Sequence, residues 1–134
     1  MFDELKKYRK NGHFFFKKGN SLVVVGKEVP DLPGVYYIIR LANGNVDLVF
    51  MGKSGIPIPM GNNTDSLLKH SITLQQELLD IKMSESNIDG LDIYWFVTLD
   101  ANHHDLPDYA LALILQRHFD LFGRLPEWNL IHNS

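Results

Sequence analysis

The sequence predicts a small α+β domain: a central antiparallel β-sheet, made of a hairpin over residues 35–51 and a strand over residues 91–99, flanked by helices. Three observations predict it. First, Val35–Leu41 and Val46–Met51 are rich in β-branched and aromatic residues and are joined by Ala42-Asn43-Gly44-Asn45. Asn-Gly between two such runs is a strong hairpin signal, because both residues tolerate the positive φ of a tight turn. Second, Leu91–Leu99 (LDIYWFVTL) alternates Ile93, Trp95 and Val97 with Tyr94, Phe96 and Thr98, a strand with both faces covered. Third, Leu68, Ile72, Gln75 and Leu79, widened by Leu67, Leu74 and Leu78, recur at helical spacing over about Asp65–Met83, and a second helix runs over Asp108–Phe122.

Taken in order, Phe2–Lys10 reads as a short helix with Phe2, Leu5 and Tyr8 on one face and lysines on the other, ended by Asn11-Gly12. His13-Phe14-Phe15-Phe16 reads as a set of aromatics that plug a core, Lys17–Asn20 as a turn, and Ser21–Val25 as a short strand. The two prolines of Glu28–Pro33 make a connector that delivers an extended chain to Gly34. Gly55–Thr64 is too rich in Gly, Pro and Asn to prolong a strand, and Thr64 or Asp65 is expected to cap the next helix. Ser84–Gly90 and Asp100–Asp105 are loops. Pro107 suits the first turn of the last helix, whose Ala110–Leu115 stretch is apolar almost all round and predicts a central position. Gly123 suits its C-cap, and Pro126 prevents continuation.

A chain of 134 residues with 45% hydrophobic and 22% charged content has the size and composition of one soluble globular domain. Residues 1–33 read as a basic N-terminal arm and residues 34–134 as the domain proper. The first 27 residues carry a net charge of +5 and the remainder −8, so a polyanion such as DNA would be drawn to Lys6, Lys7, Arg9, Lys10, Lys17 and Lys18, unless these lysines are simply a solvated helix face. No apolar run approaches the roughly 20 residues that span a bilayer, and the charged N-terminus does not suit a secretory signal, so a cytoplasmic location and no membrane partner are expected. The absence of cysteine removes disulfides, thiol catalysis and thiolate metal sites.

Gly34-Val35-Tyr36 opens the first strand of the hairpin and Phe50-Met51-Gly52 closes the second, so that Tyr36 and Phe50 become neighbours when the hairpin forms. This pair of tripeptides resembles the signature of the GIY-YIG nuclease superfamily, over residues 34–129. The resemblance implies a small antiparallel sheet flanked by helices and metal-dependent phosphodiester hydrolysis. It gives Tyr36 the role of general base, Lys69 that of the phosphate-facing cation in place of an arginine, and Asn129 of Arg124–Asn129 (RLPEWN) an orienting role at the closing motif. Lys53 and Ser54 resemble the small polar continuation after Gly52. Phe50 stands where the second tyrosine belongs, and the helix that should carry the metal-binding glutamate offers Ala110 or Leu111 instead, with Asp108 or Glu77 as improvised ligands.

Two functional classes remain. One is an active DNA endonuclease using Mg²⁺ or Mn²⁺, for which Asp65, Glu77, Asp105 and Asp108 are the carboxylates to bring near Tyr36. The other is a catalytically degenerate member that needs no cofactor and acts by binding nucleic acid through Lys6, Lys7, Arg9, Lys10, Lys17, Lys18 and Lys53, or by binding a protein partner or a second copy of itself. The simultaneous change of second tyrosine, arginine and glutamate favours the second class, because catalytic groups act as a unit. His103-His104-Asp105 is a further candidate metal cluster, though adjacent histidines usually point apart. His70 and His118 read as partly buried histidines, and Trp95 and Trp128 as core anchors.

Overall fold

The hairpin anchors the structure. In the computed structural model, which describes residues 2–55 and 67–129, strands β2 (Gly34–Ala42) and β3 (Asn45–Lys53) pair antiparallel through a turn in which Asn43 and Gly44 both have positive φ, 53° and 76°. That is the conformation the Asn-Gly dipeptide is suited to, and its twist matches that of the strands. The register slips between Ile38 and Ile39: Ile38 faces Phe50 while Ile39 faces Leu48, leaving Val49 as a bulge. The extra residue lets Val49 and Phe50 both enter the same core.

Strand β4 (Gly90–Val97) pairs antiparallel with β2, and β1 (Asn11–Phe16) pairs antiparallel with β4, giving a four-stranded antiparallel sheet in the order β1-β4-β2-β3. The fold is thus α+β with an antiparallel sheet flanked by helices. The N-terminal stretch expected as an arm supplies the edge strand β1, and Phe2, Leu5, Tyr8, Phe16, Leu22 and Val29 are all buried in the two cores.

Those cores lie on opposite faces of the sheet, because side chains alternate along a strand. Tyr36, Ile38, Leu91, Ile93, Trp95 and Val97 pack with Leu68, Ile72, Leu79, Met83 and Trp128, under helices α1 (Leu22–Val25), α2 (Leu68–Thr73) and α3 (Gln76–Glu85). Val35, Tyr37, Ile39 and Met51 pack with Phe2, Leu5, Tyr8, Ala110 and Ile114, under the N-terminal turn and α4 (Pro107–Phe122). Trp95 and Trp128 are core residues, as expected, and a side chain on Gly12 would strike the Trp95 indole.

Several local expectations are corrected. The N-terminal helix over Phe2–Lys10 is only a 3-10 turn at Asp3–Leu5, with Leu5, Lys6 and Tyr8 donating to the carbonyls three residues back. Phe2, Leu5 and Tyr8 recur every third residue, which fits three residues per turn better than 3.6. Ser21–Val25 is a single helical turn, not a strand. The helix expected over Asp65–Met83 is two helices that break at Leu74-Gln75, where the Thr73 hydroxyl donates to the Lys69 carbonyl at 2.8 Å, a back-bond that bends helices; its proposed cap at Thr64 or Asp65 lies outside the described residues. Of the aromatic run, Phe16 is buried and Phe14 packs partly against the core, but Phe15 points to the other face and is 53% exposed. Helix α4 is not central: Ala110, Ile114 and His118 face inward while Tyr109, Phe119, Leu121 and Phe122 are exposed. Its αL cap at Gly123 is as the sequence indicates.

Candidate functional site

Tyr36 lies directly opposite Gly52 across the hairpin, and Phe50 packs diagonally beside it with ring centroids 6.0 Å apart. Gly52 has no alternative here, since a Cβ would overlap the Tyr36 ring. Gly34 is equally constrained: a Cβ there would collide with the Phe96 carbonyl of β4. Ser54 completes this corner, its hydroxyl accepting from the Gly34 N–H at 2.9 Å while its own N–H donates to the Gly34 carbonyl.

The tyrosine itself is 1% exposed. Burial pushes its phenol pKa well above the ordinary value, and a hydrogen bond from the Gln75 side chain opposes that rise without cancelling it. The break between α2 and α3 explains why Gln75 is available: it sits at the bend with φ −84° and ψ 0°. A buried, neutral phenol that already has a partner is a poor general base near neutral pH.

Asn129 closes the same corner. Its side chain accepts from the Met51 N–H and donates to the Met51 carbonyl, both at 2.9 Å, so one amide satisfies Met51 on the outer edge of β3 as a residue of an added strand would. Trp128 beside it is buried, and Glu127 pairs with Arg40 at 2.9 Å. Pro126–Asn129 therefore seals the sheet edge next to Gly52.

The remaining candidates are dispersed. Asp108, in the first turn of α4, pairs with Lys53 at 3.2 Å on the face of the sheet opposite Tyr36. Lys69 is half-buried in the first turn of α2, and Glu77 is exposed in the first turn of α3. Asp65 lies outside the described residues. Asp105 is a tether: it takes the Lys7 ammonium at 2.7 Å and the Tyr8 hydroxyl at 2.5 Å, and Lys7 first, then Tyr8, hold its carboxyl below the usual range. Among the described residues no three His, Asp or Glu side chains are grouped to hold a metal, the His103-His104-Asp105 run included.

The basic residues do not form one surface. Lys6 pairs with Asp3 at 2.9 Å and Lys7 with Asp105, whereas Arg9 and Lys10 line a shallow cleft with Asp100 and His103 at one end of β1, and Lys17 and Lys18 stand exposed at its other end. A small cavity of about 160 Å³ between β3 and α4 is lined by Arg40, Asp47, His118 and Glu127, and is smaller than the roughly 300 Å³ at which small-molecule sites begin.

No protein-family model, curated protein or solved structure matches the chain. Among the described residues no helix is long and apolar enough to cross a membrane.

One group of side chains has no counterpart in the sequence reading. His13, Tyr94 and Tyr37 stand in register across β1, β4 and β2, with ring centroids 4.8 and 5.0 Å apart and planes within 9° and 12° of parallel. His13 Nδ1 meets Asp92 at 2.8 Å. The period-two spacing of His13 and Phe15, and of Asp92 and Tyr94, is the signal that marks them as one face.

Proposed function

We propose that the chain is a divergent GIY-YIG-type domain that works by binding a partner and not by hydrolysing phosphodiesters. The observation that carries this is Tyr36: the residue that would activate water is buried, neutral and hydrogen-bonded by Gln75. The resemblance itself is supported by convergence, since Gly34, Tyr36, Gly52 and Asn129, scattered over the sequence, meet at one corner of the hairpin. A metal between Tyr36 and Asp108 is disfavoured by their positions on opposite faces of the sheet. A protein partner fits better than duplex DNA, because Lys6, Lys7 and Lys53 of the proposed nucleic-acid set are already engaged by carboxylates.

Incubation of plasmid and short duplex DNA with excess protein, in Mg²⁺ and in Mn²⁺, beside Tyr36→Phe, is the test. The expected outcome is no cleavage by either protein. Metal-dependent nicking that disappears in Tyr36→Phe would overturn the reading in favour of an active endonuclease with Tyr36 as base and Lys69 against the phosphate.

A further inference from the structure

The two edges of the sheet are treated differently. No strand pairs with the outer side of either β1 or β3 among the described residues, but on β3 the Asn129 amide takes both backbone groups of Met51. The direction of its backbone groups follows from the neighbouring bonds. Val97 N–H donates to the Lys10 carbonyl and Thr98 N–H to the Pro33 carbonyl, so odd residues of β4 bond β1 and even ones bond β2. By the antiparallel alternation, Gly12, Phe14 and Phe16 turn their N–H and C=O groups towards β4, and Asn11, His13 and Phe15 turn theirs outward. An uncovered edge is a template for another strand, one that folded chains ordinarily blunt.

We infer that β1 is a docking edge for an extended peptide segment of a partner protein, acidic at both ends and apolar or aromatic between, which joins the sheet as a fifth strand. This rests on the binding reading above and names its partner. Three observations select the occupant. Arg9-Lys10 and Lys17-Lys18 bracket the strand; Arg9 and Lys10 share a cleft with Asp100, while Lys18 lines another with Asp80 and Lys17 stands exposed beside it, so both ends are net positive and match acidic flanks. The same charges oppose a second copy: antiparallel self-pairing centred on His13 would set Arg9 against Lys17 of the other chain. The centre of the edge is aromatic, for the His13–Tyr94–Tyr37 stack terminates there with His13 47% and Phe15 53% exposed, so a planar side chain opposite His13 extends the stack by one ring. The rings stand face to face with each other instead of lying flat on the sheet, which suits an added strand better than stacked nucleobases.

The test is an NMR titration of the full chain with a blocked peptide carrying paired aspartates at each end and a threonine–valine centre around one phenylalanine. Expected are saturable shifts, with slowed hydrogen exchange at the amides of Asn11, His13 and Phe15 and little change along β3. Phe15→Pro removes an outward N–H while sparing the bonds to β4, and it should abolish binding. Should that variant misfold, the double change Lys17→Glu and Lys18→Glu, which leaves the backbone intact, should weaken binding by about tenfold or more. Unchanged amides at about 1 mM peptide, or equal binding of a lysine-flanked version, would overturn the inference, as would an oligothymidylate that perturbs His13 and Phe15 when the peptide does not. Failure of the binding reading would instead appear as DNA cleavage, which the titration does not measure.

Discussion

At the scale of single residues, the corner around Tyr36 shows how a tyrosine at the end of a hairpin is used for architecture. The phenol fills the space left by Gly52 and takes its hydrogen bond from Gln75, while Asn129 spends its whole amide on Met51. Asn129→Ala removes both bonds and reopens the edge of β3. With the Met51 groups part-buried, the expected loss is roughly 1–3 kcal/mol, read as a lower urea midpoint with an unchanged slope. The sequence marks Tyr36, Gly52 and Asn129 as unusual through their glycine and proline contexts. It does not reveal what they touch, because Met51 and Asn129 are 78 residues apart and an amide that pairs a strand has the same one-letter code as one that orients a substrate.

At the scale of elements, signals local to the chain translate well: the Asn-Gly turn, the alternation in β4, the Pro107 start and Gly123 end of α4 all appear where their chemistry requires. The expectations that fail depend on tertiary packing. Ser21–Val25 has strand propensity yet forms a helical turn, and Leu22 is buried through it. The apolar girth of α4 is only half used by the sheet. The N-terminal turn is held by one acidic loop residue, Asp105, through Lys7 and Tyr8. Because Asp105 has a depressed pKa in the folded state, its contribution is fully present above the unfolded-state value of about 3.9 and disappears as pH falls through the folded value. Thermal melts followed between about pH 6 and pH 2 should therefore show a downward limb beginning near pH 4 that is shallower in Asp105→Asn. An identical slope in the variant would show that other carboxylates carry the acid sensitivity.

At the scale of the whole molecule, residues 2–33 pack as part of the same sheet and cores as the rest, since β1 covers the edge of β4 that faces away from β2, and Phe16 and Leu22 share a core with Ile93 and Trp95. Deleting residues 1–16 should abolish the cooperative unfolding transition and raise dye binding to exposed apolar surface, whereas a detachable arm would leave near-ultraviolet circular dichroism intact. Their high charge and compositional break suggest an appendage in the sequence, yet Phe2, Leu5, Tyr8 and Phe16 among those lysines are each nearly fully buried. The sheet order β1-β4-β2-β3 also imposes a timetable on a chain made from its N-terminus. The hairpin of β2 and β3 closes from adjacent segments, but His13 waits for Asp92, 79 residues later, before its strand has a partner. Of the four strands of this sheet, the first to be made thus waits for the last. Until β4 is made, it is an unpaired segment of three phenylalanines whose flanking cations oppose association with like chains.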